Sequence, residues 1–461
     1  MKMAYRTFQQ PAPATESNGG AGRRFSPLPE TLVGRLRGRM GEDVWIIVLA
    51  MVAGSLIGGA AWGLKRLIAL VSRLSVGCAD HFGWWTMLLL PLVGILLTGI
   101  FQRYILHREI YHGVDRLQAD FARGQSRLPV VLTFSPVLAC AMTLGFGGSA
   151  GSEGPIAYAG AAIGNNVGRL FGTTDCGLRA MMAIGAGAGI AGIFKAPVGG
   201  ALFTLECLGI GSGPFTAIAL FAGCVCAGLT ALALSGFTPD IAVDTLAPFD
   251  WHLTLPLLAL ALFCGVYSAY YSRIMARMTS WFEGMRSPWR RNIVSGLIVG
   301  ALLFIFPALF GEGYGVVGGI INGHPEAAVF RSPLALPALG LDPGVTLLAV
   351  CFGVMAVKAF ATSATNSGGG VAGDFAPTLF AGAVCGYFFA RMAGVLFGID
   401  LPEGEFAVYG MAAVMAGAVK APLMAMFIVT EMTATPSALL PAAIASAVSY
   451  VVASILRPAD R

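Results

Sequence analysis

Two short elements rich in glycine and proline are the parts of this sequence whose residue types could do chemistry. The elements are Gly151-Ser152-Glu153-Gly154-Pro155 and Gly373-Asp374-Phe375-Ala376-Pro377. Proline suits the first turn of a helix and glycine permits close approach, so each element predicts a helix start with unused backbone N–H groups. These groups and the positive end of the helix dipole attract anions. Two such helix starts facing each other would bind a desolvated anion without a formal positive charge.

Glu153 is an acid within the first of these elements. Placing a carboxylate at membrane depth costs about 2.5–3.5 kcal/mol of free energy on insertion scales, so an acid there is a candidate functional residue. It would compete with an anion for the same N–H groups, and its protonation would release them. We therefore predict that Glu153 is both a gate and a proton carrier. The alternative is a structural glutamate that caps a helix start.

The composition places these elements in a membrane. Of the 461 residues, 56% are hydrophobic and only 11% are charged, whereas a soluble domain carries about 25% charged residues. This deficit excludes an ordinary cytosolic enzyme and a disordered protein, and a net charge of +5 is too small to indicate nucleic-acid binding. We predict an all-α, polytopic membrane protein whose 62 glycines allow close helix packing and broken helices.

The charge distribution predicts the domains and the topology. Residues 1–41 form a polar, arginine-containing tail without a signal-peptide pattern, residues 42–456 form the transmembrane domain, and residues 457–461 form a basic end. The positive-inside rule places both termini in the cytoplasm, which implies an even number of crossings.

An internal repeat divides the transmembrane domain into halves at about 42–235 and 250–456. The segment Gly185–Pro197 matches Gly410–Pro422, and in both copies a glutamate follows the Lys-Ala-Pro lysine by 11 positions. The glycine–proline elements precede these segments in the same order. Interrupted helices at corresponding positions of two halves are typical of transporter binding sites. The alternative for the breaks at 145–160 and 367–382 is ordinary loops between short spans.

These motifs resemble the CLC family of chloride channels and chloride/proton antiporters over about residues 45–456. Glu153 matches the family's gating glutamate, and the second element matches the segment whose amides line the anion site. The segment Gly311-Glu312-Gly313-Tyr314-Gly315 is also similar to a family segment. The resemblance implies two inverted halves of tilted, broken helices and a homodimer with a pore in each subunit. It implies chloride or another small anion as substrate, protons as a further partner, and no cofactor, in a prokaryotic inner (plasma) membrane.

Several positions depart from the family pattern. An ungapped count places His112 and Gly113 where the family has the serine that binds the central anion. An imidazole N–H could donate to an anion, or His112 could be an interfacial histidine at the pore mouth. Ser152 replaces a basic residue, Asp374 places an acid beside the expected anion site, and Cys207 replaces the antiporters' inner proton glutamate. The family's late tyrosine has no counterpart, so channel and antiporter mechanisms both stay open.

The two glutamates of the repeat, Glu206 and Glu431, are predicted to be structural groups that bind backbone amides. Two other functions stay open beside chloride transport. The first is fluoride export, since that branch of the family also departs from the serine and tyrosine pattern. The second is an intramembrane serine hydrolase, because Gly147–Gly151 matches the nucleophile pattern G-x-S-x-G around Ser149. No metal-spaced histidine pair and no phosphate loop occur in the sequence.

Overall fold

The computed structural model describes residues 40–108, 110, 113–209, 214–243, 249–324 and 343–456. Within these ranges the chain forms sixteen α-helices and no named strand, which confirms the all-α prediction. The helices are α1 (Glu42–Phe82), α2 (Leu90–Ile100), α3 (Gly113–Ala122), α4 (Ser135–Gly145), α5 (Glu153–Leu170), α6 (Asp175–Phe194), α7 (Pro197–Glu206), α8 (Pro214–Leu234), α9 (Thr254–Glu283), α10 (Pro288–Ile305), α11 (Tyr314–Ile321), α12 (Pro343–Ser367), α13 (Phe375–Phe397), α14 (Glu403–Val419), α15 (Pro422–Met432) and α16 (Leu439–Leu456).

Many of these helices have the length and composition of membrane spans. Among the described residues, 8 helical segments are long and apolar enough to cross a bilayer. Large apolar side chains lie on the outer surface of the bundle, including Leu255 (77% exposed) and Ile455 (75% exposed). Exposure of such an apolar surface to water would be unfavourable, whereas lipid tails solvate it. The helix surface therefore fits a protein that spans the membrane several times.

The internal repeat is visible as two similarly built helix pairs. In the first half α5 crosses α6, and a Cβ on either Gly160 or Gly185 would collide with the carbonyl oxygen of the other glycine. In the second half Gly382 of α13 and Gly410 of α14 are related in the same way. Glycine at both crossings lets the backbones touch, which is how membrane helices without a strong hydrophobic force associate.

The ends of these pairs also correspond. Lys195 ends α6 and Lys420 ends α14, and both residues adopt the left-handed conformation, with φ of 53° and 66°. Each lysine is followed by Ala-Pro, and the proline begins the next short helix, α7 or α15. The shared sequence thus has a shared backbone path in each half.

The helices are interrupted within both predicted breaks, but over shorter stretches, residues 146–152 and 368–374, than the predicted 145–160 and 367–382. Helix α4 ends at Gly145 and α5 begins at Glu153, while α12 ends at Ser367 and α13 begins at Phe375. Both intervening segments are mostly buried in the centre of the bundle. Irregular backbone at this depth must be satisfied by protein or water, so the contacts of these segments define the candidate site.

Candidate anion site

Backbone hydrogen bonds join the two broken segments. The Gly151 N–H donates to the Gly373 carbonyl at 2.9 Å, and the Gly373 N–H donates to the Gly151 carbonyl at 2.6 Å. A Cβ on either glycine would collide with the Glu153 carboxylate. Glycine at both positions therefore leaves room for the Glu153 carboxylate, and the pairing brings the starts of α5 and α13 together.

The Glu153 carboxylate lies on the first amides of α13. Its side chain is 1% exposed, and Oε1 accepts hydrogen bonds from the Phe375 N–H and, at 3.1 Å, from the Ala376 N–H. The other oxygen, Oε2, has no partner in the described structure. A carboxylate thus occupies the helix start at which an anion would bind.

Ser152 makes different contacts. Its N–H donates to Glu312 Oε1 at 3.1 Å, and its hydroxyl donates to the same oxygen at 2.5 Å. The Ser152 amide at the start of α5 therefore also faces a carboxylate, and the Ser152 hydroxyl donates to the same carboxylate. The segment around Glu312 resembles a family segment, but no role was predicted for this acid. An acid between two glycines in an apolar region was the signal that could have found it.

Lys358 is a second polar group that the sequence analysis missed. It lies in the middle of α12 and is 0% exposed, with Nζ donating to Ser149 Oγ at 2.9 Å and lying 4.5 Å from the centre of the Phe380 ring. The Ser149 N–H donates to Thr365 Oγ1 at 3.0 Å. The segment before Glu153 is therefore fixed to α12. A single lysine within a 25-residue apolar helix was the signal that could have found it.

A cavity of about 820 Å³ reaches the site from one side. Glu153 and Gly154 lie at its inner end, and Asp374 is exposed in its wall, where it accepts a hydrogen bond from Asn366. Asp374 is thus in contact with open space rather than with the amides that hold Glu153. Water can reach the site through this cavity, which suits the delivery of a small ion.

The same cavity is lined by residues of the helix that follows the position predicted to replace the family's serine. Helix α3 begins at Gly113, and Arg116 and Gln118 of that helix line the cavity. His112 lies outside the described residues. Pro155 and Pro377 lie in the first turns of α5 and α13 and are buried.

The repeat glutamates bind across the two halves. Glu206 accepts hydrogen bonds from the Leu423 N–H (3.2 Å) and the Met424 N–H (2.7 Å) at the start of α15. Glu431 accepts from the N–H groups of Val198 (3.1 Å) and Gly199 (2.9 Å) at the start of α7. Each short helix therefore ends in a carboxylate that caps the start of the other.

Asp240 and two lysines form a cluster of charges near Glu312. Asp240 accepts from Lys195 Nζ at 2.8 Å and pairs with Lys65, and its side chain is 8% exposed. Although burial raises the pKa of Asp240, the two lysines outweigh burial and hold the pKa of that carboxyl below its usual range. No group of three or more potential metal ligands occurs among the described residues.

Broken helices in two similar halves around a buried carboxylate define a membrane transport protein for small ions. The family model of the voltage gated chloride channel matches residues 93–454. The chain belongs to that family, the CLC family, which confirms the resemblance.

Individual relatives agree with this assignment. A ClcB-like chloride channel protein from Ralstonia nicotianae is 30% identical over 397 residues, covering 82% of this chain and 85% of the relative. A slow cyanobacterial chloride/proton antiporter has a similar crystal structure, with a TM-score of 0.75, 24% identity, and coverage of 89% of this chain and 94% of that one. A fluoride/proton antiporter of the same type has a TM-score of 0.67 at 22% identity, covering 89% and 95%. At these identities the two structures show the fold.

The family assignment decides two of the open alternatives. The protein is an all-α, multi-pass membrane protein of the CLC fold, and the break regions are elements of that fold. It is not an enzyme, because CLC proteins are channels and transporters, so the hydrolase alternative is excluded. The structure adds a physical reason, since Ser149 is 0% exposed and its hydroxyl is held by a buried lysine.

Proposed function

We propose that this protein moves chloride across the membrane through a pore that Glu153 closes. The observation that carries the proposal is the position of Glu153 Oε1 on the amides of Phe375 and Ala376. A carboxylate and a chloride ion carry the same charge and compete for the same donors. When Glu153 takes up a proton, it becomes a weaker acceptor, leaves the amides, and an anion takes its place.

The anion site consists mainly of backbone groups. In this proposal the anion is held at the segments Gly151-Ser152-Glu153-Gly154-Pro155 and Gly373-Asp374-Phe375-Ala376-Pro377, with His112 and Gly113 in place of the family's serine segment. The Gly151 and Gly373 N–H groups join the two segments, Pro155 and Pro377 lie in the first helical turns without an N–H, and the remaining N–H groups are the donors. Such donors bind an anion without a fixed positive charge. The binding is then weak enough for the ion to leave, as conduction requires.

The test is chloride efflux from liposomes that contain the purified protein. Replacing Glu153 with Gln removes the charge and keeps the size of the side chain, so efflux at pH 7.5 should rise by roughly tenfold, the equivalent of one charge-assisted hydrogen bond. Glu403→Gln, on a partly exposed glutamate (30%) paired with Arg391, is the matched control. Equal efflux from Glu153→Gln and the wild type would contradict the gate assignment.

Two further measurements use the same vesicles. A chloride gradient that drives no proton movement would assign the protein to the channels, and proton movement against its own gradient would assign it to the antiporters. Efflux of fluoride and chloride, compared directly, tests the fluoride-exporting alternative. Faster fluoride efflux would replace chloride as the proposed substrate.

We also propose a homodimer with one pore in each subunit, located in the inner (plasma) membrane with both termini in the cytoplasm. The exposed apolar side chains of α8 and α16, such as Ile218 (53%) and Val451 (52%), offer a surface for a second subunit or for lipid. Crosslinking of detergent-solubilised protein tests the dimer, and protease access to terminal tags in sealed vesicles tests the orientation. If the protein keeps the size of a monomer after crosslinking, the dimer is contradicted.

A further inference from the structure

Glu312 is held in place by unusual backbone geometry. It lies between Gly311 and Gly313, which have φ of 63° and 79° and so adopt a left-handed conformation that favours glycine. A Cβ on Gly313 would collide with the ring of Phe380 on α13. The backbone around Glu312 is therefore packed against the same helix whose first amides hold Glu153.

The contacts of Glu312 mirror those of Glu153. Glu153 uses one carboxylate oxygen to bind two donors at the start of α13, and Glu312 uses one oxygen to bind the N–H and hydroxyl of Ser152 at the start of α5. An anion that enters the space between the two helices meets a carboxylate on each of them. Removal of Glu153 alone frees only one half of the donor set.

The two carboxylates have different surroundings. Glu153 lines the 820 Å³ cavity, and Glu312 does not belong to its lining. Glu312 is half-buried and lies in the electrostatic range of Lys65, which is itself 23% exposed and lies 5.3 Å from the centre of the Tyr314 ring. Glu312 therefore lies near a partly exposed lysine and outside the wall of the cavity that Glu153 lines.

Charged and titratable groups from several elements face Glu312. They are Lys65 of α1, Cys140 of α4, Glu153 of α5, Asp240 after α8, Tyr314 of α11 and Lys358 of α12. The two glutamates repel each other, and Lys65 and Lys358 offset part of that repulsion. A proton on either glutamate relieves the repulsion, so their titrations are coupled.

We propose that Glu312 is a second gate carboxylate, in series with Glu153, which blocks the start of α5 until it takes up a proton. The proposal rests on the anion-transport function proposed above. It gives the chain a second protonatable group beside the pathway, although Cys207 occupies the position of the antiporters' inner glutamate. An anion passes when both carboxylates have left the amides and hydroxyl that they occupy.

The test measures chloride efflux between pH 4.5 and 7.5 for the wild type, Glu153→Gln, Glu312→Gln and the double variant. Efflux from Glu153→Gln should still rise as the pH falls, because Glu312 must still be protonated. In the double variant this pH dependence should disappear, and efflux at pH 7.5 should exceed that of Glu153→Gln by roughly tenfold. A double variant with the same pH profile as Glu153→Gln would overturn the proposal.

Two controls separate the possible failures. If Glu153→Gln does not raise efflux at pH 7.5, the proposed gate function fails; if it does and Glu312→Gln adds nothing, only the second gate fails. Ser152→Ala removes the hydroxyl donor and leaves every carboxylate in place. It should raise efflux at pH 7.5 while keeping the pH dependence, and unchanged efflux would also count against the second gate. Size-exclusion chromatography verifies that each variant is folded.

Discussion

The reciprocal contacts of Glu206 and Glu431 predict a large and symmetric contribution to stability. Each carboxylate accepts two backbone hydrogen bonds, with N···O distances from 2.7 to 3.2 Å. A hydrogen bond to a charged group contributes about 1.5–3 kcal/mol, so replacing Glu206 with Ala should cost about 3–6 kcal/mol. Replacing it with Gln keeps one acceptor oxygen and should cost about half as much.

The assay is equilibrium unfolding of the purified protein in mixed detergent micelles, monitored by circular dichroism. Glu403→Ala is the control, because its exposed ion pair with Arg391 contributes only about 0.2–1 kcal/mol. The double variant Glu206→Ala/Glu431→Ala should cost less than the sum of the single variants, since α7 and α15 pack against each other and share one interface.

One outcome would refute this reasoning. If the free energy of unfolding of Glu206→Ala lies within about 1 kcal/mol of that of the Glu403→Ala control, the amide contacts do not stabilise the fold. Glu206 also lies in the cavity wall. If Glu206→Ala changes chloride efflux while stability is retained, Glu206 takes part in transport.

Three further predictions concern packing, pH and proton coupling. Gly58→Ala should cost about 1–3 kcal/mol of unfolding free energy because its Cβ would collide with the backbone of α8, whereas Gly59→Ala, with no atom within 4 Å, should be neutral or slightly stabilising. Asp240→Asn should lower the unfolding temperature at pH 7. Because the folded-state pKa of Asp240 lies below the ordinary 3.8, its contribution is present above that pH and is lost as the pH falls through the folded-state value. The difference in unfolding temperature between wild type and Asp240→Asn should therefore be smaller at pH 3 than at pH 7. Cys207→Glu places a carboxylate in the cavity wall and should increase the protons moved per chloride, measured with a pH electrode; an unchanged ratio would show that this position does not control coupling.

The architecture could be predicted from the sequence because its signals are local and repeated. The low charge indicated a membrane protein, and the spacing between Lys-Ala-Pro and its glutamate revealed the two halves. The glycine–proline elements marked the helix starts, since a broken helix needs residues that permit unusual backbone there. Each of these features can be recognised within a short stretch of sequence.

The contacts inside the site could not be predicted in the same way. Glu312 contacts Ser152 across 160 positions, and Lys358 contacts Ser149 across 209. In the sequence, Glu312 and Lys358 each look like an isolated charge in an apolar region. Only the folded structure brings Glu312 to Ser152 at the start of α5, and Lys358 of α12 to Ser149 in the segment before α5. Hydrogen bonds of this kind depend on tertiary structure, so the sequence marks Glu153 as a candidate gate but does not reveal the groups that surround it.

The Gly151–Gly373 pairing also has a consequence for biosynthesis. Glu153 and its amide partner Phe375 are 222 positions apart, a distance that a ribosome covers in roughly 10–45 seconds at 5–20 residues per second. During that interval α5 can enter the membrane, but its carboxylate has no second helix start to bind. The contact between Glu153 and the start of α13 therefore forms late in synthesis, and a nascent chain halted before α13 holds the Glu153 carboxylate without the Phe375 and Ala376 amides.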